Sequence, residues 1–289
     1  MLLITGANGQ LGRLIVEEVL KRDPDVELAV SVRDPEAAAD LAERGVEVRR
    51  GDYDDLDSLK TAFAGVDRML LMPTPTPDPE ERVQQMLPVI DAAKEAGVKH
   101  IVYPGTAQVE GLDFALLDAH ARVYKAVEDT GIPSTHLRHG IYTEMIAGEV
   151  AGALAAGELA APVGDATVAP VLRSDLAAAI ATVLLEDGHE GKTYDLTGQD
   201  AVSWNDLAGL ASERAGKEIR FRSIDDEEAK SRLEAAGLPP EVVPVALGFY
   251  EAYRAGWSAT PSGDIERLAG HPATPTLEAV GLVLDGQAK

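Results

Sequence analysis

Apolar positions in the first half of the chain fall in short runs, separated by longer stretches in which they recur at helical spacing. The runs predict strands over Leu2–Ile4, Glu27–Val32, Val46–Arg49, Arg68–Met72, His100–Tyr103 and Ser134–Leu137. Between them, Leu11–Lys21 carries Leu11, Leu14, Ile15, Val19 and Leu20 on one helical face, and Glu80–Ala96 is a second amphipathic segment. Strands alternating with helices are the pattern of a parallel sheet with crossover connections. Six strands and five crossovers predict an α/β, Rossmann-like domain with helices on both faces of the sheet.

After Arg138 the rhythm changes. Gly140–Gly157 and Leu172–Leu185 read as alanine-rich helices, and Thr193–Leu196 as a short strand. Further helices are expected near Trp204–Ala215, Asp225–Ala236 and Glu241–Ala255, the last with Pro239 and Pro240 at its start. These segments cannot build a second large parallel sheet, so they predict a small, mostly helical C-terminal lobe. The expected division is 1–140 for the Rossmann domain and 141–289 mainly for a substrate-binding lobe, with a stretch at about 165–200 returning to the first domain. Lys192–Leu196 is the candidate to extend the main sheet. Four prolines in Pro73–Pro79 make a stiff loop after the fourth strand. It reads either as a rigid connector or as a wall of a ligand cleft, because open α/β sheets bind ligands beyond the carboxyl ends of their strands.

The 289 residues suffice for one large domain or a nucleotide-binding domain with a smaller lobe. A net charge of −23 argues against a nucleic-acid partner, whose phosphates such a surface repels. The absence of cysteine removes disulfides, thiolate metal sites and cysteine nucleophiles. No basic leader or long apolar run opens the chain, so neither a signal peptide nor a membrane span is expected, and the reading is cytoplasmic. No histidine pair has helix-type metal spacing with an acid nearby, so no metal is expected. The sequence leaves a homodimer open.

The strongest local signal is Gly6-x-x-Gly9-x-x-Gly12, between the first strand and the first helix. Gly6 would make the tight turn, Gly9 would admit a pyrophosphate close to the backbone, and Gly12 would let the helix pack on the sheet. A turn that merely needs glycine is the plainer alternative. The second strand ends in Ser31-Val32-Arg33, with no acid at its tip to accept from a ribose 2′-hydroxyl. Arg33 can instead clamp a 2′-phosphate, which favours NADPH over NADH, or it can pair on the surface with Asp34 or Glu36. Asp52 and Tyr53, after the third strand, would lie beside the adenine, unless Asp52 only caps the following helix.

These features, together with Val32-Arg33-Asp34-Pro35, Gly51-Asp52-Tyr53, Ala96-Gly97-Val98-Lys99-His100-Ile101, Leu137-Arg138-His139-Gly140-Ile141-Tyr142 and Gly188-His189-Glu190-Gly191-Lys192-Thr193-Tyr194, resemble the NmrA-like atypical short-chain dehydrogenase/reductases. Within that group the chain is similar to type 2 NADPH:quinone oxidoreductases and triphenylmethane reductases. The resemblance implies NADPH in a groove between domain and lobe, no flavin, no metal, and a flat conjugated acceptor such as a quinone or dye. It implies that Gly6, Asn8, Gly9, Gln10 and Leu11 line the pyrophosphate and that Arg33 meets the 2′-phosphate. Asp52 and Tyr53 would take the adenine, Met72 and Pro73 the ribose, and Tyr103, Pro104 and Gly105 the nicotinamide region. Two departures stand out: Tyr103-Pro104-Gly105-Thr106 replaces a Tyr-Thr-Ser/Gly loop, and His139 stands where asparagine is usual.

The Tyr-x-x-x-Lys pair of typical short-chain dehydrogenases is missing, since Ala121 occupies the tyrosine position relative to Lys125. His120, Lys125 and Tyr142 remain as catalytic candidates. His120 has an ordinary pKa suited to proton donation. Lys125 lies about 140° around the helix from His120 and would need its full length to reach a nicotinamide ribose; a solvated lysine is the alternative. Tyr142 would contact nicotinamide or substrate, or plug the cleft. His139 is weaker, and His100, His136, His189 and His271 read as structural or solvent-facing. Tyr142, Met145, Phe249 and Tyr250 would line the acceptor pocket. The expected activity is hydride transfer from NADPH to a conjugated, electron-poor acceptor, with an NADP(H)-binding redox sensor that does not turn over as the rival. A nucleotide-sugar epimerase is disfavoured by the missing tyrosine base.

Overall fold

The computed structural model describes residues 1–288. Along the chain, β1 (Leu2–Thr5) leads to α1 (Gln10–Arg22), β2 (Leu28–Val32) to α2 (Ala39–Ala42), and β3 (Glu47–Arg50) to α3 (Leu56–Ala62). Then β4 (Arg68–Leu70) leads to α4 (Pro79–Glu95), β5 (His100–Thr106) to α5 (Ala115–Asp129), and β6 (Ser134–His139) to α6 (Thr143–Ala156). Two short strands, β7 (Leu159–Ala161) and β8 (Thr167–Val168), precede α7 (Arg173–Leu185) and β9 (Thr193–Leu196). The rest comprises β10 (Val202–Ser203), α8 (Trp204–Ala215), β11 (Phe221–Ser223), α9 (Asp226–Ala235), α10 (Val243–Arg254), α11 (Asp264–Ala269) and α12 (Thr276–Leu284).

Seven strands form one parallel sheet in the order β3-β2-β1-β4-β5-β6-β9. The order reverses between β1 and β4, which opens a crevice beyond their carboxyl ends. The sheet is covered on both faces, which is why β1 and β2 are buried at every position and are apolar but for Thr5 and Ser31. On one face Leu11, Ile15 and Val19 of α1 pack against Leu176, Ile180 and Val183 of α7. Alanines 177, 178, 179 and 181 leave α7 apolar nearly all round, as a helix buried between a sheet-packed helix and α11 must be. On the other face Leu59, Phe63, Met86, Val89, Ile90, Val123 and Val127 join α3, α4 and α5.

A separate cluster forms the lobe. Trp204, Tyr253 and Trp257 stack among residues of α6, α8, α10 and α12. The pairs β8–β10 and β7–β11 brace it; both are shorter than the sequence pattern can reveal, and α11 and α12 add to the helices it predicts. The strand at Thr193–Leu196 pairs with β6 in the main sheet, as its sequence allowed. The lobe is tied to that sheet at the site's edge. Trp257 Nε1 donates to Thr106 Oγ1 at 2.9 Å, and Thr106 Oγ1 donates to the His139 carbonyl at 3.1 Å. No helix among the described residues is long and apolar enough to cross a membrane.

Candidate active site

The glycine turn has the geometry a diphosphate needs. Gly6 has φ +63°, a left-handed conformation that side chains resist, and its carbonyl accepts from Gly9 N–H at 3.0 Å. Gly9 is the N-cap of α1; it offers no side-chain cap, and the first helical turn contains no acid. The first amides of α1 therefore point outward unsatisfied, the arrangement that binds anions. A Cβ on Gly12 would lie 2.3 Å from the Gly6 carbonyl oxygen, so only glycine lets the helix sit this close to the turn. Gly6, Asn8, Gly9 and Gln10 are exposed, whereas the Leu11 side chain is buried in the core and leaves only its backbone for a ligand.

Arg33, at the tip of β2, is exposed and pairs with no carboxylate among the described residues. The anticipated surface pairing with Asp34 or Glu36 is not made. Asp34 instead accepts from Glu36 N–H at 3.0 Å. Arg13 approaches the same lip but is held by Asp40 at 2.9 Å and by Asn8 Oδ1 at 3.2 Å. Beyond β3, the cap of α3 is Asp55, which accepts from Ser58 N–H; Asp52 accepts from Asp54 N–H at 3.2 Å and does not cap the helix. The Tyr53 hydroxyl donates to the Met72 carbonyl at 2.8 Å and lies 2.8 Å from Thr5 Oγ1. Thr5 Oγ1 also accepts from Met72 N–H at 2.9 Å. Thr5, which the sequence did not single out, thus fixes Met72 against Gly6, whose own Cβ position is 3.1 Å from Met72 Cβ. A glycine turn, a bare helix end and an unpaired arginine fit a phosphorylated dinucleotide.

At the next two strand ends the structure gathers Tyr103, His120 and Tyr142 but not Lys125. Tyr103 is fully buried, and its ring faces Tyr124, His120 and His136. Pro104 and Gly105 are buried with it along β5. Gly105 lacks a side chain for the sake of the sheet: a Cβ there would lie 2.5 Å from His136 Nε2. The Tyr103 hydroxyl and His120 Nδ1 are 3.0 Å apart. Burial, with help from the Arg82 guanidinium and neighbouring histidines, pulls the His120 pKa down to about 3. The ordinary histidine pKa expected from sequence is therefore lost, and His120 is a neutral hydrogen-bonding group at pH 7. Lys125 is exposed and ion-paired with Asp129, four residues on. It also borders an open cavity of about 650 Å³ with Arg122, Arg138 and Thr193, distinct from the glycine turn. Tyr142 is half-buried, with the Arg173 guanidinium 4.6 Å from its ring centre and Arg173 in turn paired with Glu144 at 3.3 Å. Met145 is 43% exposed one turn into α6. Phe249 and Tyr250 are only partly buried against the lobe core.

The structure also adds Arg82, which is 8% exposed on the inner face of α4. Sequence held the signal: position 82 falls on the apolar stripe of Met86, Val89, Ile90 and Ala93, where a charge is anomalous. Three further histidines are buried in β5 and β6. His100, His136 and His139 are at most 7% exposed, each with a ring nitrogen that finds no partner, and burial holds their pKa values at about 4, 4 and 3. A histidine whose folded pKa lies below its unfolded value gives stability that is complete above about pH 6.5 and lost as pH falls towards the folded pKa. Each costs up to about 1.4 kcal/mol per pH unit in that window. Glu149, raised by burial to about 7, acts in the opposite sense, but these three histidines and His120 outweigh it. Urea midpoints are expected to fall from pH 7 to pH 5, even though acid relieves the self-repulsion of a −23 chain. A flat profile, or one that His139→Asn does not flatten, would count against this account.

The chain matches the NmrA-like family over residues 1–270. Quinone oxidoreductase 2 of Escherichia coli (strain K12) is 34% identical over 280 residues, covering 97% of each chain. The solved structure of Citrobacter sp. triphenylmethane reductase complexed with NADP(H) superimposes with a TM-score of 0.91 at 36% identity, over 98% of this chain and 100% of that one. The NADPH-dependent quinone oxidoreductase of Escherichia coli complexed with NADPH gives a TM-score of 0.92 at 34% identity, over 97% and 99% of the two chains.

Proposed function

Because the chain belongs to the NmrA-like family, we propose that it is an NADPH-dependent oxidoreductase that reduces a flat, conjugated, electron-poor acceptor of the quinone or dye type. The observation that carries this reading is the exposed Gly6–Gly12 turn on an uncapped helix, set in the β1/β4 crevice beside an arginine with no carboxylate partner. NADPH, when bound, supplies the hydride. The outward amides of α1 hold the diphosphate, and Arg33 holds the 2′-phosphate. Met72 and Pro73, pinned by Thr5 and Tyr53, shape the floor of the crevice. Tyr142 and Met145, at the mouth of the lobe, cover the acceptor and keep water from it. His120, neutral and oriented by Tyr103, positions the acceptor through a hydrogen bond, while solvent completes protonation. Position and a dry pocket suffice for an acceptor whose ring stabilises the charge it receives. That is why a Tyr-x-x-x-Lys acid is dispensable here.

Loss of nicotinamide absorbance with a panel of quinones, dyes and conjugated carbonyls, run beside calorimetry with NADPH and NADH, tests the reading. Turnover of at least one acceptor class is expected, with tighter binding of NADPH than of NADH. Tight NADPH binding with no turnover of any acceptor would make the protein a redox sensor instead. Failure to bind either nucleotide would overturn both.

A further inference from the structure

Among the described residues Arg82 is the one buried lysine or arginine, and the cofactor reading leaves it unused. The chain carries 49 acidic residues against 26 lysines and arginines, yet no carboxylate lies within ion-pairing distance of Arg82 among the described residues. Its side chain makes a single hydrogen bond, from Nη2 to the Thr76 carbonyl at 2.8 Å in the proline-rich loop. Nε is sealed without a partner, while Nη1 bonds to nothing and is not fully covered. α4 packs on α5, and Val83 and Met86, which flank Arg82 on its helix, share a core with Tyr103 of β5 and Ala119 and Val123 of α5. The guanidinium therefore lies beside Tyr103 and His120, and its charge bears on both and on Tyr142 in the β6–α6 loop. Burial without a counter-charge holds its pKa below the usual arginine value. An unpaired buried charge is destabilising, and a methionine would fill the same stripe of α4 without that cost. The arrangement is that of a site awaiting an anion.

We propose that Arg82 receives the acceptor's oxygen as it becomes negative, an assignment that rests on the reductase reading above. Hydride adds to the conjugated acceptor, and the displaced π pair comes to rest on a carbonyl oxygen as a phenolate or enolate. The nicotinamide is oxidised in the same step. Nη1 donates a hydrogen bond to that oxygen, and the product leaves after solvent supplies one proton. The guanidinium stays protonated throughout, so it acts by charge and direction.

Acceptors of different charge separate this role from a structural one. A neutral quinone acquires an oxyanion on reduction, whereas a cationic triarylmethane dye becomes neutral and acquires none. In Arg82→Met the ratio of quinone to dye turnover is expected to fall by about tenfold or more, chiefly through kcat, with partial recovery in Arg82→Lys. A second readout needs no turnover. A nitrophenol titrated into the NADP+-loaded protein should bind mainly as its coloured phenolate in the wild type and as the neutral phenol in Arg82→Met. Equal loss with both acceptors, or an unchanged phenolate fraction, overturns the assignment. If the wild type reduces neither acceptor, the reductase reading fails, and the phenolate fraction still decides whether Arg82 holds an anion.

Discussion

Gly12→Ala is expected to abolish measurable NADPH binding and to destabilise the fold by about 2–4 kcal/mol, the range of a severe overpacking of backbone against backbone. The added Cβ would lie 2.3 Å from the Gly6 carbonyl oxygen, 3.0 Å from its carbon and 3.1 Å from Ala7 Cα. None of these atoms is the end of a flexible side chain, so either the turn or α1 must move. The Gly6 carbonyl also accepts from Gly9 N–H, so pushing it away loosens the residue that caps α1 and turns the helix amides off their target. Retreat is blocked on the other side, where Gly6 already abuts Met72. Gly152→Ala in α6 is the control: nothing lies within 4 Å of its Cβ position, and alanine there should stabilise by up to about 1 kcal/mol. Chemical denaturation and NADPH calorimetry on the two variants check the pair. A Gly12→Ala protein with wild-type affinity and midpoint would remove the physical basis for the turn's role.

The turn was legible in the sequence because its requirements are local: three backbone positions without side chains, a strand before and a helix after. The doubly covered sheet was legible for the same kind of reason, since strands such as Leu28–Val32, buried on both faces, leave an apolar run that neither a loop nor a surface helix would carry. What escaped is what depends on distant segments meeting. The Tyr103–His120 contact crosses from β5 to α5, and His120 is kept neutral by burial together with the charge of Arg82 on α4 and the histidines of β6. Arg82 itself was visible only as an anomaly on an apolar stripe. Lys125 shows the converse: its angular offset from His120 already placed it on another face, and there it pairs with Asp129. Gly105 shows that a missing side chain can have a packing reason beside any ligand, since a Cβ there would meet His136 within the sheet.

Arg33→Ala is expected to weaken NADPH binding by roughly 10- to 150-fold while leaving NADH nearly unaffected, the equivalent of about 1.5–3 kcal/mol for hydrogen bonds to a charged phosphate. The argument starts from charge. A cofactor rich in phosphates approaches a chain of net charge −23, so the few cations on the lip of the crevice decide whether its extra phosphate is tolerated. Two are close by. Arg13 is committed to Asp40, Asn8 and the Ala37 carbonyl, and freeing it would break contacts that hold the β2–α2 connection to α1. Arg33 has no such commitment, since Asp34 is turned towards Glu36 N–H. It is therefore the group that loses least by binding a 2′-phosphate and can move to meet it. Arg33→Glu should go further and reverse the preference, because a carboxylate repels the phosphate and can accept from the ribose hydroxyl of NADH. Because the Arg33 contact is exposed, the NADPH advantage should also shrink as salt is raised, and it should shrink little in Arg33→Ala. Calorimetry with both nucleotides at two ionic strengths reads all of these. An unchanged NADPH-to-NADH ratio in Arg33→Ala would move the 2′-phosphate site elsewhere, with Arg13 the next residue to substitute.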